Sequence, residues 1–70
     1  MRLTHDPEAD AASIHLLDSI QPGGVARSHV CDVELTGCSV ILDFDAADKL
    51  IAIELLGASK LLPKELLTNP

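Results

Sequence analysis

Two apolar segments, residues 40–44 and 50–55, constrain the fold of this chain more than any other feature. A short break rich in Ala and Asp separates them, and the first ends in Phe44, the only aromatic residue. Runs of β-branched residues on either side of such a break predict a β-hairpin. Both faces of this hairpin are apolar, whereas a sheet with one face in water would alternate more cleanly. The sequence therefore predicts that both faces are covered.

Turn signals divide the rest of the chain. Asp6-Pro7 suits a type I turn, and Gln21-Pro22-Gly23-Gly24 suits a type II turn with Gly23 at the position that needs a positive φ. Short connections favour antiparallel neighbours, which gives a meander. The predicted strands lie at about residues 2–5, 12–17, 25–33, 38–45 and 49–56, and helical turns lie at about residues 58–68. The third strand alternates weakly, so we expect it to be partly exposed.

The C-terminal segment changes from a strand pattern to a helical one. Ser59 is predicted to cap a first turn, and Pro63 is predicted to break the helix and begin a second turn. Four leucines supply an apolar stripe for the sheet, namely Leu61, Leu62, Leu66 and Leu67. The predicted fold is one α+β domain over residues 1–70, an antiparallel β-meander of four to five strands with a short C-terminal helix packed on one face.

The second apolar face has no evident cover in a chain of 70 residues. A chain of this length lies near the lower size limit for independent folding. We therefore expect a homodimer that buries the second face. The candidate interface residues are Ile41, Ile51, Ile53 and Leu55.

The charge of the chain restricts its partners. Five Lys and Arg residues stand against eleven Asp and Glu residues, a formal net charge of −6, and the cations are scattered. Nucleic-acid binding requires a basic face or stacking aromatic residues, so we expect no direct contact with DNA or RNA. An acidic surface suits a small basic protein better. The N-terminus lacks the apolar core of a signal peptide, and no apolar run could span a bilayer. These two features predict a cytoplasmic protein with no membrane partner. In that compartment we expect Cys31 and Cys38 to be reduced.

Several motifs together resemble the prokaryotic domain-of-unknown-function 2283 family. The similar stretches are His5-Asp6-Pro7-Glu8-Ala9-Asp10-Ala11, Ile14-His15-Leu16, Val40-Ile41-Leu42-Asp43-Phe44-Asp45, Leu50-Ile51-Ala52-Ile53-Glu54 and Ala58-Ser59. The resemblance covers nearly the whole chain and implies a small β-meander closed by a C-terminal helix. It implies no established activity. Some members lie beside small toxin-like proteins, from which the resemblance implies an antitoxin or partner role.

The chain departs from the family pattern at two informative positions. His5 stands where the family usually has Tyr, and Asp48 stands where Gly is usual. If Asp48 takes the left-handed conformation that the family gives to Gly, it carries a modest strain.

Metal binding is the first chemical alternative. Asp43, Asp45 and Asp48 form a D-x-D-x-x-D cluster, but the sixth position lacks the Gly of a calcium loop. Aspartates that end strands and hold turns explain the same pattern. The candidate metal ligands are His5, His15, His29, Asp43 and Asp45, although no pair has the spacing that fixes metal geometry in advance.

Catalysis has little support in the sequence. Ser28 and His29 are neighbours whose side chains point to opposite faces of a strand, and Glu8 and Asp10 flank a turn, where we expect solvated carboxylates with ordinary pKa values. We therefore expect no enzyme, no catalytic residue and no cofactor. The leading hypothesis is a non-catalytic, self-associating protein-interaction domain. The alternatives are an antitoxin-like partner of a small basic toxin, and a metal-binding or hydrolytic protein that uses the His and Asp residues.

Overall fold

The computed structural model describes residues 1–67 and shows five strands in one antiparallel sheet, followed by two one-turn helices. The strands are β1 (Arg2–Asp6), β2 (Ala11–His15), β3 (Arg27–Cys31), β4 (Ser39–Phe44) and β5 (Leu50–Leu56), and the helices are α1 (Ala58–Leu61) and α2 (Lys64–Leu67). The predicted α+β class is confirmed. The last residue of the predicted helical segment, Thr68, lies outside the described residues.

The strand order is β1-β2-β5-β4-β3, which differs from a simple meander at one connection. Strands β3, β4 and β5 follow one another as predicted, but β2 pairs with β5 and not with β3. The burial pattern explains this order. Strand β5 contains three buried residues and occupies the centre, where both of its edges are hydrogen-bonded, whereas four of the five β3 residues are exposed, as suits an edge. The third strand is thus shorter and more exposed than predicted.

The two hairpin turns form because aspartate side chains replace missing backbone partners. In the β1–β2 loop, the Asp6 carboxylate accepts a hydrogen bond from the Glu8 N–H at 3.1 Å. In the β4–β5 loop, Asp45 accepts hydrogen bonds from the N–H groups of Ala47 and Lys49, both at 2.9 Å. Asp48 follows with φ 61°, so it takes the left-handed conformation that the family gives to Gly. A type I turn followed by a left-handed residue is a common three-residue hairpin loop.

The connection between β2 and β3 contains the predicted type II turn. Gly24 donates its N–H to the Gln21 carbonyl at 2.7 Å, and Gly23 has φ 77°. This confirms the turn type, because a type II turn needs a positive φ at its third residue. Residues 16–26 as a whole carry the chain from β2 past the ends of β5 and β4 to the far edge of the sheet.

The core lies between the sheet and the helices. Ala12, Leu55 and Ala58 form its buried centre, and the surrounding apolar side chains are Leu3, Ile14, Val40, Ile53, Leu61, Leu62 and Leu67. Leu66, which was predicted to share this layer, is 46% exposed. The helix break predicted at Pro63 is confirmed, because α1 ends at Leu61 and α2 begins at Lys64.

Gly57 joins the sheet to the helical layer. It is the N-cap of α1 with φ 74°, so the cap is not Ser59, which lies inside the helix. A Cβ at residue 57 would lie 2.6 Å from the Gly37 carbonyl oxygen and 2.8 Å from the Cys38 Sγ. Both the positive φ and this close approach require glycine here.

Candidate functional surface

The two faces of the sheet differ in what covers them. Strand alternation places Ile53 and Leu55 on the helix face, where the core forms. The other face, here called the open face, has no helix packed on it within residues 1–67. One row of open-face residues crosses all five strands in register, and its members are Thr4, Ser13, Glu54, Ile41 and Val30. The row changes from polar at the β1 edge to apolar at the β3 edge.

A hydrogen-bonded acid pair lies at the centre of the open face. Asp43 is only 4% exposed, and its carboxylate accepts a hydrogen bond from the Ser28 hydroxyl at 2.6 Å. Glu54, on the neighbouring strand, is hydrogen-bonded to Asp43. That bond, followed by burial and by the charge of Asp43, raises the pKa of Glu54 above its ordinary value.

The β3 edge of the open face is its most apolar part. Val30 is 62% exposed and lies opposite Ile41, while Leu56, two strands further in, is 44% exposed. On the helix face of β3, the Arg27 guanidinium lies 4.1 Å from the centre of the Phe44 ring and donates a hydrogen bond to Asp48 at 3.1 Å. Arg27 therefore fixes the beginning of β3 against the β4–β5 hairpin.

Asp10 connects the first hairpin to the helical layer. Its side chain accepts hydrogen bonds from the Ser59 N–H at 3.0 Å and from the Ser59 hydroxyl at 2.7 Å. Its backbone carbonyl also accepts from the N–H groups of Gly57 and Ala58. The hydrogen bond from the Ser59 hydroxyl lowers the pKa of Asp10, so the expectation of an ordinary pKa was wrong for this residue. Asp10 thus serves as the cap that α1 lacks in its own sequence.

His5 lies beside this capping interaction. Its Nε2 atom is buried, has no hydrogen-bond partner among the described residues, and lies 4.0 Å from the Asp10 carboxylate. The side chain as a whole is 20% exposed and faces the same side of the sheet as the core. His5 therefore packs against Asp10 as part of the hairpin–helix junction.

The residues of this junction coincide with the sequence motifs of one family. The model of a family described as a protein of unknown function, DUF2283, matches residues 2–59. The chain belongs to the DUF2283 family. No curated protein and no solved structure matches it significantly. The match begins at β1 and ends at Ser59, so it spans the complete sheet and both partners of the hydrogen bonds between Asp10 and Ser59.

The geometry gives a structural reason for two motifs of this DUF2283 chain. The acidic residue at position 10 and the serine at position 59 are hydrogen-bonded partners, although 49 positions separate them in the chain. Their conventional explanations, a solvated turn residue and a local helix cap, both failed because the contact depends on the fold. A carboxylate that precedes a strand and a serine that follows a glycine offer no local signal of such pairing.

The candidate metal ligands do not assemble. His5 and His29 lie on the helix face at opposite edges of the sheet, whereas His15 lies on the open face. Asp43 is held by Ser28 within β4, and Asp45 holds the β4–β5 turn. Within residues 1–67, no three His, Cys, Asp or Glu side chains come together in a way that could hold a metal ion.

The candidate interface residues do not share one surface. Only Ile41 lies on the open face, opposite Glu54. Leu55 belongs to the buried core, Ile53 packs against it, and Ile51 is 3% exposed. These three residues are therefore covered by the chain itself, and the open face exposes Val30 and Leu56 in their place.

Sequence reasoning also missed the acid pair. The sequence patterns do not single out Glu54, and they indicate Asp43 only as a candidate metal ligand or as a residue that ends a strand. Alternation along β4 and β5 could have placed both carboxyls on the face opposite the core. Their contact depends on the register between the two strands, which pairs Glu54 with Ile41 and Asp43 with Ala52.

Proposed function

We propose that this DUF2283 protein is a non-catalytic protein-interaction domain that associates with a second copy of itself. The observation that carries the proposal is the exposure of two apolar side chains on the open face, Val30 and Leu56. A hydrophobic side chain this exposed is ordinary when it stands singly. Here Val30 lies on the edge strand β3, none of whose five residues is buried, and faces Ile41 on β4. This combination is typical of a contact surface.

The open face offers structural groups where an enzyme would need reactive ones. The Ser28 hydroxyl donates its hydrogen bond to Asp43, and the neighbouring His29 points to the opposite face of β3, so these two residues form no Ser–His pair. The Asp43 carboxylate is buried and satisfied by this bond and by Glu54. These contacts support a non-catalytic role. No helix in residues 1–67 is long and apolar enough to cross a membrane, and the cytoplasmic location stays a prediction.

Sedimentation equilibrium of the purified chain tests self-association directly. From micromolar to millimolar concentration, we expect the average mass to rise from that of one chain toward that of two. The melting temperature should rise over the same range, because association stabilises the folded state by mass action. A mass of one chain and a constant melting temperature at every concentration would refute the proposal.

A small basic protein is the second candidate partner, and the charge of −6 favours it. An antitoxin-like role would be one form of such a partnership. The test is titration of the chain with the purified product of the neighbouring gene, at low and at high salt. Binding that weakens steeply with salt supports the candidate, because electrostatic attraction between exposed charges is screened. The absence of binding at low salt would contradict it.

A further inference from the structure

We infer that two copies associate through antiparallel pairing of their β3 strands, which would join two sheets into one of ten strands. This inference rests on the proposed self-association and assigns a surface to it. Strand β3 is an edge, so alternate residues turn backbone N–H and C=O groups away from β4. A second copy of the same strand can supply partners for these groups.

Strand β3 is short and begins with Arg27, but it lacks other features that usually protect an edge. Its five residues, RSHVC, include neither Pro nor Lys, and its pairing with β4 runs without a bulge. The irregularity in the sheet lies instead between β4 and β5, beside Phe44. A regular, exposed edge with an apolar residue, Val30, at 62% exposure is well suited to pairing.

The opposite edge is less suited to pairing with a copy. The exposed residues of β1 are all polar or charged, and its one apolar residue, Leu3, packs in the core. Pro7 follows β1 directly and cannot donate a backbone hydrogen bond that would extend the pairing. Pairing at β1 would therefore bury less apolar surface than pairing at β3.

Charge favours the antiparallel orientation of the two β3 strands. Each strand begins with the cation Arg27 and is followed by the acidic residues Asp32 and Glu34. Antiparallel pairing brings the basic beginning of one copy toward the acidic end of the other, whereas parallel pairing would bring the acidic ends together. Because Arg27 is already paired with Asp48, this complementarity acts on orientation more than on affinity. Antiparallel pairing also agrees with the two-fold symmetry of most homodimers.

The length of β3 limits the strength of the association. Five residues supply few hydrogen bonds, and an interface below about 1,200 Å² belongs to the weak class. We therefore expect an equilibrium between one and two chains that is visible only toward millimolar concentration, and the measurements must reach that range.

Three lysine substitutions at exposed positions test the edge against the other surfaces. Val30→Lys places a cation on the β3 edge, where two copies would bring like charges together. Leu56→Lys places the same cation on the open face away from the edge, and Thr4→Lys places it on the β1 edge. All three side chains are exposed, so each variant should keep the fold, which the dispersion of its amide NMR spectrum will verify.

Sedimentation of the three variants and the unmodified chain gives distinct outcomes. We expect Val30→Lys to weaken association by roughly tenfold or more, and the other two variants to associate as the unmodified chain does. Association that survives Val30→Lys, or that is lost equally in Leu56→Lys or Thr4→Lys, would overturn the β3 assignment and leave self-association standing. A single-chain mass for the unmodified protein at every concentration would overturn the proposed function itself.

Discussion

Replacing Gly57 with alanine should destabilise the fold by an amount that the structure allows to be divided into two parts. The first is the cost of a left-handed conformation, about 1–2 kcal/mol for a residue with a Cβ. The second arises because the new methyl group would lie 2.6 Å from the Gly37 oxygen and 2.8 Å from the Cys38 Sγ. Such overpacking typically costs about 1–3 kcal/mol, so Gly57→Ala should lose roughly 2–5 kcal/mol in all.

This loss is large for a chain of this size. At roughly 0.05–0.15 kcal/mol per residue, the total stability is about 3–10 kcal/mol. One kcal/mol shifts the melting temperature of a small domain by about 4–8 °C, so a fall of roughly 10–40 °C is expected. Circular dichroism at one fixed protein concentration measures it, since association would otherwise change the melting temperature.

Gly23→Ala is the matched control. Gly23 has φ 77°, nearly the same as Gly57, but no atom lies within 4 Å of the position of its Cβ. This variant should therefore lose only the conformational part, with a fall of roughly 5–15 °C. Equal falls for the two variants would refute the reasoning, because the close approach at Gly57 would then contribute nothing.

Three further substitutions test the polar contacts. Asp48→Gly should be neutral to stabilising within about 1 kcal/mol in urea unfolding, because it relieves the left-handed strain and removes only an exposed ion pair. A clear loss of stability would show that the turn needs the Asp48 side chain. Glu54→Gln should stabilise the chain at neutral pH but not in acid. The pKa of Glu54 is raised in the folded chain, so this group contributes stability that is complete below the unfolded pKa and is lost as the pH rises through the folded pKa. Equal effects of the substitution at about pH 3.5 and pH 7 would contradict this. Asp10→Ala should lower the melting temperature more than Asp10→Asn, which keeps one acceptor for the Ser59 N–H, and equal melting temperatures would contradict the capping role. Because the folded pKa of Asp10 is lowered, its contribution is present above the unfolded pKa and should be lost as the pH falls through the folded value.

Local patterns predicted the elements of this fold but not their order in the sheet. The β4–β5 hairpin, the type II turn and the break at Pro63 depend on residues close together in the chain, and these predictions are confirmed. The partner of β2 depends on a contact across the sheet. The apolar character of β5 was visible in the sequence and could have indicated a central strand, because a strand with two apolar faces is seldom an edge.

The candidate surface was less accessible to sequence reasoning than the fold. Periodicity showed that Ile41 opposes Val40 and Leu42, which is confirmed, but it could not show that the helices would cover Ile53 and Leu55. The exposure of Val30 follows from the position of β3 at the edge, which itself follows from strand order. Sequence patterns that describe single strands therefore find the apolar faces and leave open which of them remains uncovered.

Nuclear Overhauser contacts between differently labelled copies of the chain test the central claim most directly. In an equal mixture of ¹³C-labelled and unlabelled protein at high concentration, antiparallel β3 strands would bring Hα protons of the two copies into contact across their non-hydrogen-bonded pairs. We predict intermolecular Hα–Hα contacts within Arg27–Cys31 and none within Arg2–Asp6. Intermolecular contacts that lie elsewhere while Arg27–Cys31 shows none, or no such contacts at any concentration, would contradict the account.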